Sequence, residues 1–480
     1  MITLRARRTA AALLLPALAG ASGVAATAAE RPLPTGPANT APAFTPGADG
    51  AGDPYFPKAG NGGYDARKYD ISLRYLPGGP HIESRAAITA AATQNLSRFN
   101  LDLVGLNVES VTVDGKAAAF RRDGQELIVT PANGIAKGAT FTVTVRYSGT
   151  PGTLDDPGLG RTGWINTSDG ADTLSQPLGS ATWYPLNDHP SDKAAHSFTI
   201  EVPKGLHAIA NGEPGRTTST ADGTVFRWKS GEPMASYLAL LAIGKFTVRD
   251  TRTPHGTRMI TAVDPTSPQD PAWLPRTTGE VTDGLARMFG PFPFASTGGV
   301  IDDVAVGYAL ETQNRPTYPS GADTSLVVHE LAHQWFGDSV SLRRWQDIWL
   351  NEGFATYAEW LWAERTGGSS TAQRFAAAYQ RAADNKGWQR PTGAPGRKGL
   401  FDSFAIYTRG AMTLHALRTT VGDPAFFKIL KTWAAAHRHR NATTADFVAH
   451  AEKVSGKRLD GLFQTWLFTP GKPVWPPKPS

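Results

Sequence analysis

The chain has 480 residues, of which 40% are hydrophobic and 19% charged, and it contains no cysteine. At roughly 100–200 residues per domain it should hold two or three domains, and its composition is that of a globular protein. The lack of cysteine excludes thiol catalysis, disulfide bonds and iron–sulfur clusters. Any catalytic chemistry must therefore use His, Asp, Glu, Ser or Tyr.

The N-terminus is typical of an exported protein. Arginines at positions 5, 7 and 8 precede an apolar stretch from 10 to 19, and small residues follow through 29. This order predicts a signal peptide over residues 1–29, using the general secretory or the twin-arginine route. The alternative is an uncleaved membrane anchor, for which the apolar stretch is short. Cleavage would lower the formal charge from +6 to about +3, which does not indicate a nucleic-acid partner.

The next segments predict a linker and a β domain. Residues 30–52 are rich in Pro, Ala, Gly and Thr and have no apolar period, so we expect a flexible linker. From 53 to 248 apolar residues alternate with polar ones, for example over 69–75 and 141–147. Half-buried antiparallel strands have this period of two. Asp-Gly pairs between such runs supply the positive φ of tight hairpins, so residues 53–248 are predicted to form an N-terminal β domain.

From 249 to 475 the apolar residues adopt the spacing of amphipathic helices. Helical spacing extends over 271–289, 324–336, 348–365, 371–385, 407–420, 424–437 and 444–467. Asp423-Pro424 and Thr444 are typical helix starts. The fold class predicted is therefore α+β, an antiparallel β domain followed by a mostly α-helical domain, with a short tail at 476–480.

A candidate metal site lies in the second helical stretch. In His329-Glu330-Leu-Ala-His333 the two histidines are four residues apart, so both project from one face of a helix as a chelating pair. Glu330 lies one position round the helix and can reach a water beside the metal. Zn²⁺ suits three N or O ligands with one open position. The alternative is a helix with two ordinary histidines.

The third ligand is predicted on the next helix. Glu352 lies among apolar residues in Asn-Glu-Gly-Phe-Ala, and a carboxylate in that setting is costly unless it is paired or binds a metal. Asn351, Thr356, Asp338 and Glu359 are candidates for orienting the ligands, although each is equally explained as an ordinary helix-face residue.

These residues resemble those of a known family. His329-Glu330-x-x-His333, followed after eighteen residues by Glu352, resembles the gluzincin zinc peptidases, specifically the aminopeptidase N and leukotriene A4 hydrolase family. The resemblance covers about 53–475 and implies a thermolysin-like catalytic domain over 249–475. Larger members continue into a helical domain that caps the active site, and no such large C-terminal helical domain is expected here.

Three further segments carry the resemblance. Tyr-Ala-Leu-Glu-Thr at 308–312 resembles the Gly-Ala-Met-Glu-Asn exopeptidase motif, whose glutamate, here Glu311, binds the free α-amino group of the substrate. Gln176, in Ser-Gln-Pro, is similar to the residue that makes a second contact to that amine. Tyr407, in Tyr-Thr-Arg-Gly-Ala, resembles the tyrosine that stabilises the tetrahedral intermediate. The exopeptidase motif departs from the family at three of its five positions.

The resemblance implies a zinc aminopeptidase, and the predicted signal peptide implies that it is secreted. His329, His333 and Glu352 would hold one Zn²⁺ per chain, Glu330 would act as general base, and Tyr407 would stabilise the transition state. The expected partners are peptides with a free N-terminus, with no nucleic acid, no membrane after signal cleavage, and a monomeric state. Two alternatives stay open: a thermolysin-type endopeptidase and a catalytically inactive peptide-binding member. Side-chain preference and the physiological substrate are not readable from the sequence.

Overall fold

A computed structural model describes residues 43–381, 383–384 and 386–475. The predicted signal peptide, the first part of the predicted linker and the predicted tail lie outside these residues. Within the rest of the predicted linker, Thr45 and Pro46 pair with a neighbouring strand, so this part of the segment belongs to the β-rich half.

Strands dominate the described chain up to the first α-helix. In chain order they are β1 (Thr45–Pro46), β2 (Tyr64–Tyr75), β3 (Ile82–Ala92), β4 (Leu96–Asp102), β5 (Asn107–Val113), β6 (Lys116–Ala117), β7 (Ala119–Asp123), β8 (Glu126–Thr130), β9 (Thr140–Gly149), β10 (Thr153–Asp156), β11 (Gly160–Asn166), β12 (Ala171–Leu174), β13 (Ala194–Pro203), β14 (His207–Ala210), β15 (Glu213–Pro214), β16 (Thr218–Ser219), β17 (Gly223–Met234), β18 (Leu241–Gly244), β19 (Thr247–Arg252) and β20 (Arg258–Val263).

Helices dominate the remainder. In chain order the elements are α1 (Trp273–Phe289), β21 (Ser296–Asp302), β22 (Thr317–Pro319), α2 (Thr324–His333), β23 (Val340–Leu342), α3 (Trp349–Arg365), α4 (Thr371–Tyr379), α5 (Arg409–Val421), α6 (Asp423–Ala436), β24 (Arg440–Ala442), α7 (Thr444–Ser455) and α8 (Asp460–Phe463). Among the described residues, no helix is long and apolar enough to cross a bilayer.

The β-rich half contains three sheets. The largest runs β15-β17-β13-β2-β3-β9-β5-β6, with β16 added on β17; a second runs β10-β11-β12-β18-β14, and a third β1-β4-β8-β7. The alternation predicted from the sequence places Tyr69, Ile71 and Leu73 of β2 in the core. The Asp-Gly pairs at 114–115 and 123–124 lie between paired strands with the positive φ expected of Gly. The predicted β-rich half is confirmed, and its strands pair antiparallel except for β2 with β13 and β1 with β4, which are parallel.

A smaller mixed sheet positions the helices. Its order is β19-β20-β21-β22, and β20, β21 and β22 are parallel to one another. Parallel strands need a crossover connection, which α1 supplies between β20 and β21. The chain then enters α2 five residues after β22 ends, so the sheet sets the start of the helix that carries the two histidines. The α+β fold class is confirmed, whereas the domain boundaries at 52/53, 248/249 and 475 stay predictions.

Two predicted helices are shorter than the apolar spacing indicated. The stretch 371–385 is helical only to Tyr379, and the stretch 444–467 is interrupted after Ser455. Gly456 adopts a left-handed conformation with φ of 68° and ends α7, because glycine takes this conformation without a steric penalty. A short helix, α8, and a π-helical turn then follow. Apolar spacing alone does not detect such a break when packing continues on both sides of it.

Candidate active site

The two histidines lie near the end of α2. Asp323 caps the N-terminus of this helix by accepting a hydrogen bond from the backbone N–H of Leu326 at 2.8 Å. One turn separates His329 from His333, and their ring centroids are 4.8 Å apart. Both side chains are buried, so the helix presents them to the interior as a pair, as the spacing predicted.

Helix α3 brings a carboxylate to this pair. Glu352 Oε2 lies 3.3 Å from Nε2 of His329 and 3.4 Å from Nε2 of His333. Glu352 is 2% exposed, so these three groups face one another with almost no access to bulk solvent. The structure therefore brings together the three predicted ligands.

The outer nitrogen of each imidazole has its own partner. Nδ1 of His329 lies 2.8 Å from Oε1 of Glu359, and Nδ1 of His333 lies 3.1 Å from the carbonyl oxygen of Phe336. Both partners are acceptors, so each Nδ1 carries the proton. In the neutral tautomers each Nε2 then has a lone pair that is directed toward Glu352.

This donor set fits a zinc ion. Two imidazole lone pairs and a carboxylate oxygen point toward one another, and all three are hydrogen-bond acceptors. They need a positively charged group between them. Tetrahedral ligands at about 2.0–2.1 Å from a zinc ion are about 3.3–3.4 Å from each other, which matches the separations of Glu352 Oε2 from the two nitrogens. Two histidines and one glutamate also leave a coordination position open, as catalytic zinc sites do.

The electrostatics of the site favour a positive charge at its centre. Burial alone would raise the pKa of Glu352, but His333 and His329 outweigh it and hold that pKa well below its usual range. Burial would likewise lower the pKa of His329, yet the hydrogen bonds that its charged form donates to Glu352 and Glu359 raise it well above the ordinary value. Both shifts show that the surrounding groups favour a positive charge between the three side chains.

Two more acids lie beside the metal ligands. Carboxylate oxygens of Glu311 and Glu330 and a ring nitrogen of His333 lie within 4.8 Å of one another. Burial raises the pKa of both Glu311 and Glu330. A carboxyl with a raised pKa next to a metal centre can accept and release a proton near neutral pH.

Glu311 is fixed by contacts from distant parts of the chain. Nε2 of Gln176, in the β-rich half, donates to Oε1 of Glu311 at 2.9 Å, so the predicted pair is present. Gln334, directly after α2, donates to the backbone carbonyl oxygen of Glu311 at 3.3 Å. The hydroxyl of Tyr237 lies near Glu311: burial and then the charge of this acid raise the pKa of the hydroxyl well above its ordinary value. The sequence analysis did not identify Tyr237 or Gln334, and neither has a local pattern that would mark it.

Tyr407 faces the metal ligands from a π-helical turn. Its ring lies 6.0 Å from that of His329 at an interplanar angle of 20°, and burial raises the pKa of its hydroxyl well above 10.

The turn Ser403–Thr408 leads directly into α5. Arg409 directly follows this turn. It is fully buried and donates to the carbonyl oxygens of Trp388, Trp466 and Thr469 at 2.7–2.9 Å. Arg409 therefore anchors the turn that carries Tyr407.

The candidate residues line one cleft. It has a volume of about 500 Å³, and all seven predicted site residues contribute to it. The lining residues are Leu159, Gln176, Gly307, Tyr308, Ala309, Glu311, Asp323, Ser325, Leu326, His329, Glu330, His333, Glu352, Glu359 and Tyr407. Of the four proposed orienting residues, Glu359 contacts a ligand directly, whereas Asn351 donates to the hydroxyl of Tyr237 at 3.2 Å.

Comparison with known proteins identifies the family. The Peptidase M1 N-terminal domain model matches residues 65–238, and the Peptidase family M1 domain model matches residues 309–466. A mutant form of an M1 zinc metallopeptidase from Deinococcus radiodurans superposes with a TM-score of 0.81 at 31% identity, covering 90% of this chain and 100% of that chain. The chain belongs to the peptidase M1 family. The resemblance to aminopeptidase N-type gluzincins is therefore confirmed.

Other relatives of this M1 protein carry aminopeptidase names. Probable aminopeptidase 2 of Sulfurisphaera tokodaii is 26% identical over 407 residues, covering 78% of this chain and 50% of that protein. Aminopeptidase N of Lactococcus lactis is 25% identical over 425 residues, covering 81% of this chain and 49% of that protein. The chain thus spans about half the length of the curated relatives it matches. Family membership gives the enzyme class, zinc metallopeptidase, and its cofactor, a single zinc ion.

Proposed function

We propose that this M1 protein is a secreted zinc aminopeptidase, which removes the N-terminal residue from peptides with Glu330 as general base. The observation that carries the proposal is the position of Glu311. This acid is held by Gln176 within 4.8 Å of Glu330 and of a metal-ligand histidine. An acid this close to the metal ligands can bind the N-terminal ammonium group of a peptide while the first peptide bond lies at the metal.

The metal site supplies one part of the chemistry. A bound zinc ion provides Lewis acidity that activates water and polarises a carbonyl group. His329, His333 and Glu352 would hold this ion through Nε2, Nε2 and Oε2, and Glu359 and the carbonyl of Phe336 keep both imidazoles in the required tautomer.

Proton transfer falls to Glu330. Its carboxylate takes a proton from the attacking water and delivers it to the amine that leaves, a role worth about 10²–10⁴-fold in rate. The ring of Tyr407 stacks on that of His329, and its hydroxyl would donate to the oxyanion that develops on the scissile carbonyl.

Glu311 and Gln176 determine which bond is cleaved. The carboxylate of Glu311 pairs with the substrate ammonium, and the amide oxygen of Gln176 accepts a second hydrogen bond from it. An extended residue spans about 3.3–3.6 Å. An anchor at this distance therefore places the first peptide bond, rather than an internal one, beside Glu330.

The test is a panel of short peptides with free and N-acetylated termini, assayed with zinc saturating. We expect kcat/KM to fall at least 100-fold on acetylation, because the charged hydrogen bonds to Glu311 are lost. Glu311→Gln should remove most of this difference. Asp323→Asn changes an acid of the same cleft whose side chain caps α2 and forms no hydrogen bond with Glu311 or Gln176, so it should leave the difference intact. Equal turnover of both peptide forms would indicate an endopeptidase instead.

The role of Glu330 has a separate test. Glu330→Gln should lower kcat by about 10²–10⁴-fold, because the amide cannot accept the proton of the attacking water. The zinc content of this variant, measured by elemental analysis, should equal that of the parent protein. A variant that keeps both its zinc and its full kcat would disprove the mechanism.

Secretion is proposed on the order of residues in the first 29 positions. Expression of the full chain in a bacterial host should release a protein that starts close to position 30, as read by N-terminal sequencing of the culture medium. Retention of the intact N-terminus in the membrane fraction would favour the uncleaved anchor.

A further inference from the structure

Four aspartates outside the catalytic site lie where the β-rich half contacts the catalytic half. Asp172 lies on β12, Asp264 directly follows β20, and Asp302 and Asp303 end and follow β21. They are called the aspartate cluster below. Strands β20 and β21 are parallel neighbours, so their carboxyl ends bring Asp264 and Asp302 side by side. Oxygens of Asp264, Asp302 and Asp303 lie within 4.8 Å of one another.

Two of these carboxylates are buried and incompletely bonded. Asp302 is 1% exposed and Asp172 is not exposed, and Oδ2 of each has no hydrogen-bond partner. Their Oδ1 atoms accept only from the neighbouring backbone, at 2.8 Å from the N–H of Asp303 and at 2.7 Å from that of Thr173. A buried carboxylate oxygen without a donor is costly, so it points to a bound group that would satisfy it.

The surroundings of the cluster provide no counter-charge. Within the described chain, no lysine, arginine or histidine forms an ion pair with any of the four aspartates. The charged groups that act on Asp302 most strongly are Asp303, Asp264 and Asp169, all of them acids. Burial and this repulsion raise the pKa of Asp302 to about 8, and burial and the charge of Asp302 raise that of Asp172 well above its ordinary value.

We propose that the aspartate cluster binds one calcium ion, which joins the β-rich half to the catalytic half. The donors are all carboxylate oxygens, which suit hard cations and not zinc. Calcium accepts six to eight oxygens at about 2.3–2.6 Å in flexible geometry, so oxygens that lie up to 4.8 Å apart need little movement. Magnesium demands a tighter octahedral arrangement and fits this spread of oxygens less well.

The ion would stabilise the contact between two elements that lead to the cleft. Both oxygens of Asp303 lie 3.3 Å from the N–H of Ser168, in the loop between β11 and β12. The segment that follows Asp303 carries Tyr308, whose hydroxyl donates to the carbonyl oxygen of Arg161 on β11 at 2.9 Å. An ion held by β20, β21 and Asp303 would fix the start of this segment.

The test uses the zinc-loaded enzyme after exchange into buffer that has been stripped of calcium. Elemental analysis after equilibrium dialysis against millimolar Ca²⁺ should find one calcium per chain in addition to the zinc. The midpoint of thermal unfolding should rise by about 3 °C when Ca²⁺ is a hundredfold above its dissociation constant. Mg²⁺ at the same concentration should produce a smaller rise.

Variants connect the binding to the cluster. Asp302→Asn should abolish calcium binding, and Asp303→Asn, at a half-buried position, should weaken it at least tenfold. Asp188→Asn is the matched control, because Asp188 is equally buried and has one unpartnered oxygen but lies in a different network, beside Ser236. It should bind calcium like the parent protein.

Two results would overturn the proposal. One is the absence of calcium and of any thermal shift in the parent protein. The other is calcium binding that Asp303→Asn and Asp302→Asn leave unchanged. Suppose that either result is found and that Asp302→Asn is also as stable as the calcium-free parent protein. The buried oxygens would then be explained by a proton that Asp172 and Asp302 share, without an ion.

Discussion

Each histidine of the metal centre uses one ring nitrogen for orientation and presents the other to the ion. For His329 the orienting partner is Glu359, which also accepts a hydrogen bond from the hydroxyl of Ser325 at 2.7 Å. A carboxylate that receives the Nδ1 proton fixes the tautomer and strengthens Nε2 as a donor to the metal. Glu359 is therefore expected to act through His329 rather than on the substrate.

Glu359→Gln should weaken zinc binding about 10–100-fold, since an amide holds the imidazole less firmly than a carboxylate. Competition with a zinc chelator measures this loss, and kcat at saturating zinc should change much less. Glu364→Gln, at the end of the same helix where the side chain bonds Thr371, is the control and should keep the parent affinity. Equal zinc affinity in both variants would show that Glu359 has no orienting role.

Tyr407→Phe should lower kcat about 10²–10³-fold, because one hydrogen bond to the developing oxyanion is lost. KM and zinc affinity should stay close to the parent values, since the ring still packs over His329. Tyr357→Phe removes the hydroxyl of another buried tyrosine, which bonds His415 at 3.2 Å outside the cleft, and should leave kcat unchanged. Steady-state kinetics on a free peptide compare the two variants.

Sequence reasoning located those site residues whose signal is local. Residues four apart lie on the same face of any α-helix, which was enough to pair His329 with His333. Glu352 was conspicuous as an acid among apolar neighbours. Glu359, one of the four predicted orienting candidates, follows Glu352 by seven residues, or two helical turns, and this spacing places it on the same face of the helix. Tyr237 gave no such signal, because its contact with Glu311 depends on how two halves of the chain pack.

Between elements, α3 and α5 approach each other closely beside the site. A Cβ atom added at Gly353 would lie 2.9 Å from the Cα of Gly410, and one added at Gly410 would lie 2.8 Å from the Cα of Gly353. Only glycine allows the two backbones to approach this closely. The contact sets the position of Glu352, which precedes Gly353, and of Tyr407, three residues before Gly410.

Gly353→Ala should therefore lower the free energy of unfolding by about 1–3 kcal/mol, because the added methyl meets backbone atoms that cannot yield separately. It should also weaken zinc binding, since α3 must move to relieve the contact. Gly279→Ala, in the middle of α1, is the control: its nearest contact would be an ordinary 3.4 Å, and it should be neutral or stabilising. Denaturant unfolding and chelator competition on both variants test the prediction.

At the same scale, apolar periodicity found most of the helices but not the π-helical turn at Ser403–Thr408. The helical spacing predicted from the sequence begins at 407, inside this turn, and does not mark its first four residues. The turn is held by Arg409, which is buried against carbonyl groups at 388, 466 and 469. These partners lie 21 to 60 residues away, so no local pattern could have indicated the turn.

In the molecule as a whole, the two halves meet through buried polar groups as well as through apolar packing. Asp53 Oδ2 accepts hydrogen bonds from the backbone N–H of Trp345 at 2.8 Å and pairs with Nε2 of His189 at 3.2 Å. Trp345 lies four residues before α3 begins, and His189 belongs to the β-rich half. Sequence patterns give the class of each half but not this contact, because its partners are 136 and 292 residues from Asp53.

Asp53→Asn should lower the free energy of unfolding by about 1–3 kcal/mol at pH 7. An amide oxygen is a weaker acceptor than a carboxylate, and the NH₂ group of asparagine would face other N–H groups. Burial would raise the pKa of Asp53, but the hydrogen bonds from His189, Trp345 and Tyr55 outweigh it and leave the pKa below its ordinary value. The charged form thus stabilises the fold above the unfolded-state pKa of about 3.9, and the gain is lost as pH falls through the lower folded-state pKa.

The difference in stability between the parent protein and Asp53→Asn should therefore be constant from pH 7 to about 5 and shrink toward zero below about pH 4. Asp65→Asn is the control, because Asp65 forms only an exposed ion pair with Arg67, and its effect should stay within about 0.5 kcal/mol at every pH. Urea unfolding of the three proteins between pH 3 and pH 7 measures both curves. A difference that persists unchanged at pH 3 would mean that the shape of the side chain, rather than its charge, joins the two halves at this point.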